Sequence, residues 1–204
     1  MSISINKDKI IVVEGKVEEK FIGALLNFLD IRDYQIFSVG GKCNFKNFLP
    51  SLVMTSGFYK VRSLVVIRDA DNNAHSAFQS ICSIIRRSKA QPPLTLPRGI
   101  NQYSTGTPRV GIFIVPGNSD NGILEDLFLQ TVHGSPSMGC VNQFIGCISV
   151  LFVDQPRILS KAKSHAYLSV TRETSNDVGE AALKGYWDLN SPALDDLRTF
   201  LSRL

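Results

Sequence analysis

The chain has 204 residues, of which 44% are hydrophobic and 20% are charged, and its formal net charge is +4. This composition is that of a globular protein with one core and room for a small appendage, which excludes a disordered or fibrous chain. The mild positive charge permits a polyanionic partner without requiring one. No apolar run reaches the roughly 20 residues that span a bilayer, and Met1 to Lys9 lacks the apolar core of a signal peptide, so we expect a cytoplasmic protein.

The first part of the chain alternates between strand and helix patterns. Ile10–Val13 is an apolar run without alternation and predicts a buried parallel strand. Apolar residues at helical spacing from Phe21 to Leu29 predict the first helix. A second strand is predicted over Tyr34–Val39. A second helix is predicted from Phe45 to Leu52, bent or ended near Pro50.

The same alternation continues through the middle of the chain. Val61–Ile67 is the strongest strand signal, and Phe78 to Ile85 predict a helix behind it. A loop rich in proline and glycine follows, with a short strand near Ile100–Tyr103. Val110–Val115 predicts another strand and Ile123–Val132 another helix. The pattern indicates an α/β fold, with a mainly parallel sheet and helices on both faces.

The last third of the chain changes to an all-helical pattern. Helical spacing is found over Val141–Phe152, Arg157–Val170, Val178–Tyr186 and Pro192–Leu204. We therefore predict an α/β domain over residues 1–135 and a helical extension, residues 136–204, packed on it.

The cysteines and histidines do not form a recognisable site. Cys43, Cys82, Cys140 and Cys147 contain no C-x-x-C pair and no zinc-ligand spacing to a histidine. We interpret the cysteines as small buried hydrophobic residues in a reducing compartment. The histidines His133 and His165 are interpreted as structural.

Acidic residues occur where the predicted strands end. Glu14 directly follows the first strand, and Asp69 and Asp71 directly follow the central one. Glu125 comes after the loop that follows the last parallel strand, and Glu18 lies one helical turn after Glu14, so its side chain can return toward Glu14. Because ligands of open parallel sheets bind beyond the carboxyl ends of the strands, we expect these five side chains to lie close together.

A cluster of carboxylates at one edge of a sheet is costly, since like charges repel and raise one another's pKa. Mg²⁺ and Mn²⁺ remove that cost because they prefer oxygen ligands. Alternate residues of a strand point the same way, so Asp69 and Asp71 could share one ion, while Glu14 and Glu18 could hold a second. Two ions would stabilise the attacking and leaving oxygens of a displacement at phosphorus. Taken alone, Asp-x-Asp after a strand is more often a turn or a helix cap.

The order Val13-Glu14-Gly15-Lys16-Val17-Glu18, followed by Ile67-Arg68-Asp69-Ala70-Asp71, resembles the Toprim domain over roughly Ile10 to Val132. The extended motif is most similar to the Toprim of the OLD (overcoming lysogenization defect) nucleases. That motif comprises a glutamate pair four apart, an Asp-x-Asp, a later glutamate and a downstream lysine. The resemblance implies hydrolysis of nucleic-acid phosphodiester bonds with one or two Mg²⁺ or Mn²⁺ ions. The metal ligands that it implies are Glu14, Glu18, Asp69, Asp71 and Glu125.

The resemblance also implies catalytic roles. Glu14 would ligate metal or act as general acid and base near the leaving oxygen. Lys163 matches the downstream lysine, with Lys161 as the fallback, and would stabilise charge that builds on the phosphate. The alternative for Lys163 is an exposed helix lysine, and the alternative for Glu125 is an acid that favours the helix dipole. Arg68 can pair with the aspartates or with a phosphate.

The chain departs from the OLD pattern in two ways. OLD nucleases carry a polar ligand two residues before the later glutamate, where this chain has Ile123. Either one metal is bound less tightly, or Asp126, Asp120 or Ser119 substitutes for the ligand. Those nucleases are also fused to an ATPase, whereas the Gly40–Cys43 segment does not match a phosphate-binding loop. An ATPase would therefore be a separate protein partner.

The whole chain also resembles a small uncharacterised prokaryotic family of stand-alone Toprim-like proteins. The C-terminal signature that carries this resemblance is Gly179–Ala182 followed by Gly185–Asp188. It implies the fold and the site, but no established activity. Tyr186 and Trp187 within it could stack a base, and we expect them instead to be buried where the extension meets the core.

Three functions follow from these patterns. The leading one is a metal-dependent nuclease that acts on DNA or RNA. Such a nuclease could be a subunit of a defence or repair complex. The second is a non-catalytic module that binds nucleic acid, a nucleotide or a protein partner, and the third is phosphotransfer on a small nucleotide. Six basic residues could form a surface for the nucleic-acid backbone or be scattered solvated charge: Lys42, Lys46, Lys60, Arg86, Arg87 and Lys89.

Overall fold

The computed structural model describes residues 3–117, 121–151 and 158–204. The strands are β1 (Lys9–Val13), β2 (Tyr34–Ser38), β3 (Ser63–Asp69), β4 (Gln102–Tyr103) and β5 (Arg109–Val115). The first helices are α1 (Lys16–Phe28), α2 (Phe45–Val53), α3 (Ala74–Arg87) and α4 (Leu124–Val132). The later helices are α5 (Pro136–Leu151), α6 (Leu159–Leu168), α7 (Val178–Leu183) and α8 (Asp195–Leu201).

The strands form one sheet in the order β2-β1-β3-β5-β4. The pairs β1–β2, β1–β3 and β3–β5 are parallel, and the short edge strand β4 is antiparallel to β5. The central strands are apolar without alternation because helices cover both of their faces. The predicted α/β fold class, with a mainly parallel sheet and C-terminal helices, is confirmed.

Two separate hydrophobic clusters cover the two faces of the sheet. On one face, Phe45 and Leu49 of α2 and Phe78 and Ile81 of α3 pack on the sheet. On the other face, α1 and α4 share a single cluster with residues of α5 to α8, including Leu168. The helices of the predicted extension and the α/β part therefore share one hydrophobic core on this face of the sheet.

Helix α7 lies directly against α1. A Cβ atom built on Gly179 would stand 2.3 Å from the carbonyl oxygen of Val17, so only glycine permits this approach. The ring of Trp187 stacks on Phe21 with centroids 4.2 Å apart, and its Nε1 donates to the carbonyl of Val178 at 2.7 Å. The predicted burial is confirmed for Trp187, which is 4% exposed, whereas Tyr186 is only partly buried.

Two details differ from the sequence predictions. Helix α2 continues past Pro50 to Val53, because burial of Leu52 and Val53 holds its last turn against the core. The interpretation of the cysteines as buried is wrong for three of them: Cys82 is buried, whereas the other three, Cys43, Cys140 and Cys147, are exposed.

In the described ranges, every helix is too short or too polar to cross a membrane.

Candidate functional site

The strand register brings the predicted acids to one edge of the sheet, which we call the carboxyl edge. Val13 at the end of β1 pairs with Ile67 of β3, and Asp69 at the end of β3 pairs with Val115 of β5. Glu14, the next residue after β1, therefore leaves the sheet beside the last residues of β3. The parallel register thus explains why Glu14 and Asp69, which are distant in sequence, lie at the same edge.

Glu18 folds back over the start of α1 toward Glu14. Its Oε2 atom lies 2.8 Å from the place where a Cβ atom on Gly15 would stand. Gly15 has an extended backbone that any residue can adopt, so its lack of a side chain provides space for a carboxylate. Backbone amides of Gly15 and Glu18 lower the pKa of Glu18, while burial, the largest influence, raises it.

The chain turns sharply after Asp69. Asp71 adopts a left-handed backbone with φ of 52°, so the simple alternation of a strand ends before it. Its N–H donates to the carbonyl of Gly122 at 2.9 Å, and the N–H of Gly122 donates back at 2.8 Å. These bonds fix the Asp69–Asp71 turn against the loop before α4. The carboxylate of Asp71 accepts a hydrogen bond from Lys42 Nζ at 2.8 Å.

Glu125 extends from the first turn of α4 and forms an ion pair with Lys161 at 3.8 Å. The charge of Lys161 also lowers the pKa of Glu18, although burial, the largest influence, raises it. Lys163 lies two positions further along α6, about 200° around the helix, and forms no ion pair within the described part of the chain. The structure thus brings the fallback lysine, Lys161, to the site.

Two carboxylate oxygens at the carboxyl edge are enclosed and lack a hydrogen-bond partner among the described residues. They are Oε2 of Glu14 and Oδ1 of Asp69. Burial raises the pKa of Glu14, and Glu18 and Asp71 raise it further, while Arg68 lowers it.

Asp69 is the most strongly perturbed of the acids. Burial raises its pKa well above the usual value, and four acids raise it further, in the order Glu18, Glu14, Glu125 and Asp71. The five predicted acids therefore act on one another electrostatically across a single site. A buried carboxylate without a partner is destabilising unless it is protonated or meets a cation.

The donor set matches a hard divalent cation in chemical type, because all five side chains offer oxygen. In the described ranges, no group of three such side chains already has the spacing of a formed metal site. Asp71 and Glu125 instead contact lysines. Binding of a metal would require the side chains of Asp71 and Glu125 to reorient. A bound metal would also give the enclosed oxygens of Glu14 and Asp69 a partner, which would favour that change.

The substitutes considered for the ligand missing at Ile123 differ in availability. Oδ2 of Asp126 accepts the N–H of Ile123 at 2.8 Å and so caps the start of α4. Asp126 is thereby committed to the helix terminus. Asp120 and Ser119 lie outside the described residues.

Sequence reasoning missed three contributors to the site: the space left by Gly15, the ion pair of Lys42 with Asp71, and the proximity of Lys161 to Glu125. The glycine had a signal, since it stands inside the Glu-Gly-x-x-Glu spacing. The lysine contacts had none, because they depend on how α6 and the turn before α2 lie relative to the sheet.

A family model described as "Protein of unknown function (DUF3226)" matches residues 8–204. The chain belongs to the DUF3226 family. A comparison with curated proteins finds no match for this DUF3226 chain.

Among solved structures, the DUF3226 chain is similar to the C-terminal region of the Burkholderia pseudomallei OLD protein, with 16% identity, 98% of each chain covered and a TM-score of 0.48. It is also similar to the C-terminal region of the Xanthomonas campestris pv. campestris OLD protein, with 13% identity, 97% of this chain and 95% of that one covered, and a TM-score of 0.45. A hypothetical protein from Pyrococcus horikoshii OT3 has 16% identity, coverage of 97% and 95%, and a TM-score of 0.41.

Proposed function

We propose that this chain is a Toprim-type hydrolase of nucleic-acid phosphodiester bonds that depends on Mg²⁺ or Mn²⁺. The observation that carries the proposal is the pair of enclosed carboxylate oxygens, on Glu14 and Asp69, at an edge where three further acids raise the local negative charge. Such an arrangement costs stability in the absence of a cation. A function that uses a cation there accounts for it.

The residues that would hold the metal are Asp69, Asp71, Glu14, Glu18 and Glu125. A bound divalent ion would supply Lewis-acid stabilisation of the charge that develops on the phosphate oxygens. The side chains of the protein would fix its position, because the turn after β3 is fastened to the loop before α4 through Asp71 and Gly122. Gly15 would keep the Glu18 carboxylate folded toward the same point.

Glu14 is also suited to proton transfer. Its raised pKa brings its titration closer to neutral pH, where a general acid or base works best. Lys161 and Lys163 are the two candidates for stabilising negative charge on the phosphate. The contact of Lys161 with Glu125 favours Lys161, so we expect Lys161→Ala to reduce cleavage more than Lys163→Ala.

The proposal is tested by incubating labelled single-stranded and double-stranded DNA and RNA with wild type in Mg²⁺, Mn²⁺ or EDTA. We expect cleavage that requires metal and that falls by at least about 100-fold in Asp69→Asn, since a ligand is lost without a change in side-chain size. Asp8→Asn, at the opposite edge of the sheet, is the control and should cleave normally. Absence of cleavage of all four substrates with both metals would refute the hydrolase.

A second function, a non-catalytic module that binds nucleic acid, a nucleotide or a protein partner, is favoured by one observation. Two of the five acids, Asp71 and Glu125, are paired with Lys42 and Lys161. Under this alternative the lysines would be permanent partners of the acids. Nucleic-acid binding that is unchanged by Mg²⁺ and is not followed by cleavage would support it.

A further inference from the structure

A polar groove lies between α2 and α3, on the face of the sheet opposite to α1. Its volume is about 700 Å³. Lys46 of α2 and Arg87 of α3 contribute the two cations of its wall. Between them, α3 contributes four hydrogen-bonding side chains: Ser76, Gln79, Ser80 and Ser83. We call this feature the α2–α3 groove.

The α2–α3 groove is positively charged. Its lining contains no aspartate or glutamate among the described residues. Among the described residues, neither Lys46 nor Arg87 has a carboxylate within ion-pair distance, in contrast to Lys42. Arg87 donates through Nε to the carbonyl of Ser83 at 3.2 Å, which holds the guanidinium along the helix and leaves its terminal nitrogens available. Two cations without acids beside them attract an anion.

One end of the groove is adjacent to the carboxyl edge. Lys42, whose Nζ is 2.8 Å from Asp71, precedes Lys46 by four residues. Helix α3 begins at Ala74, three residues after Asp71, and Ser76 in its first turn lines the groove. Arg87 is 11 residues further along α3, which is about 17 Å at the helical rise, so the groove is long enough for several backbone phosphates.

We propose that the phosphate backbone of one nucleic-acid strand binds along the α2–α3 groove and reaches the carboxyl edge past Asp71. This inference rests on the proposed function, which it deepens by assigning the path of the substrate. Lysine, arginine, serine and glutamine are the side chains that contact phosphates. In the described part of the chain, the groove has no aromatic residue to stack a base, so the contact is independent of sequence.

Fluorescence anisotropy with labelled oligonucleotides of two unrelated sequences, in EDTA, tests the inference without cleavage. The variant is Lys46→Glu with Arg87→Glu. Its control is Lys60→Glu with Arg62→Glu, which makes the same change in net charge at exposed residues that do not line the groove. We expect the groove variant to bind at least about tenfold more weakly to both sequences, and the control to resemble wild type.

The dependence of affinity on salt gives a second readout. Loss of two phosphate contacts should reduce the slope of log K against log salt by about 1.4 to 1.8. Equal losses in the groove variant and the control, an unchanged slope, or no binding by wild type at low salt would each overturn the groove assignment.

The two proposals fail in distinguishable ways. If groove-dependent binding is found and Asp69→Asn binds like wild type, but no metal supports cleavage, the groove stands and the hydrolase does not. If metal-dependent cleavage is found with the same KM in wild type and the groove variant, the hydrolase stands and the groove does not.

Discussion

The two edges of the sheet differ in how their polar groups are satisfied. At the edge where the strands begin, the carbonyl of Asp8 accepts the N–H groups of Arg62 and Ser63, at 2.8 and 3.2 Å, and the carbonyl of Arg62 accepts the N–H of Arg109. The Asp8 carboxylate is partly exposed to solvent and lies 3.6 Å from Arg62. At the carboxyl edge, oxygens of Glu14 and Asp69 are enclosed without partners in the described structure.

The two edges therefore distinguish interactions that stabilise the fold from the acidic residues of the candidate site. The beginning of the sheet satisfies its backbone groups with hydrogen bonds, which is what stability favours, and the enclosed atoms without a partner there include a neutral hydroxyl, Oγ of Ser63, in the described structure. The carboxyl edge retains acids that oppose stability, and strain of that kind is typical of functional sites. Substituting acidic residues at one edge at a time therefore tests whether the unpartnered acids of the carboxyl edge serve a function.

The largest effect is expected from Asp69→Asn. Loss of this carboxylate should abolish binding of Mn²⁺ and Mg²⁺ measured by isothermal titration. It should also raise the free energy of unfolding of the metal-free protein by about 1–3 kcal/mol, because an amide tolerates burial better than a charge does. Asp8→Asn, the matched change at the other edge, should alter neither quantity. Metal binding retained by Asp69→Asn would contradict the site.

The pH dependence of stability should reveal the same contrast. The raised pKa values of Asp69, Glu14 and Glu18 mean that the folded protein holds protons that the unfolded chain has lost. Their favourable contribution is complete below the ordinary carboxyl pKa of about 4 and is lost as pH rises through the raised values.

Denaturant unfolding of the metal-free protein should therefore show stability falling as pH rises above about 4. The decline should be shallower in Asp69→Asn, and saturating Mn²⁺ should oppose it at neutral pH by binding the folded state. A decline of equal steepness in wild type and Asp69→Asn would show that Asp69 does not titrate as proposed.

A smaller effect is expected from Gly15→Ala. The added Cβ would meet Oε2 of Glu18, so the carboxylate should move and metal affinity should fall by about tenfold, for a stability change within about 0.5 kcal/mol. Gly23→Ala, inside α1, is the control, because its Cβ would meet nothing within 4 Å in the described structure. Equal metal affinities in the two variants would exclude the role assigned to Gly15.

The smallest effect is expected from Lys42→Ala. The ion pair with Asp71 is partly exposed, so its loss should cost about 0–1 kcal/mol. Freeing Asp71 should raise metal affinity by a few fold in isothermal titration, since lysine and metal compete for the carboxylate. Lys7→Ala breaks a pair of the same 2.8 Å length with Asp33 and should leave metal affinity unchanged. Weaker metal binding in Lys42→Ala would argue against competition.

Much of the fold was predictable because the central strands are short apolar runs that end at turn-forming or acidic residues. Val110–Val115 illustrates this, since its buried run gives β5 to within one residue. The return of Glu18 over α1 was predictable from its spacing to Glu14. The left-handed turn at Asp71 was not, because it depends on two hydrogen bonds to Gly122, which is 51 residues later in the chain.

The cysteines show a second reason why sequence reasoning falls short. Residue type alone indicated burial, but Cys140 and Cys147 lie on the exposed side of α5, while Met138, Val141 and Ile145 form its buried side. Apolar and small residues occur on more than one side of this helix, so its sequence does not indicate which side faces the core. Which side is buried is decided by where α6 packs.

The position of Trp187 gives the protein an internal optical probe. It is the only tryptophan in the sequence, and its ring lies 4.2 Å from Phe21 and 5.0 Å from Phe128 between centroids. Phe21 comes one turn after Glu18 in α1, and Phe128 one turn after Glu125 in α4. An ion that draws the two glutamates together would shift both rings against the indole, so intrinsic fluorescence can report occupancy of the site without any label.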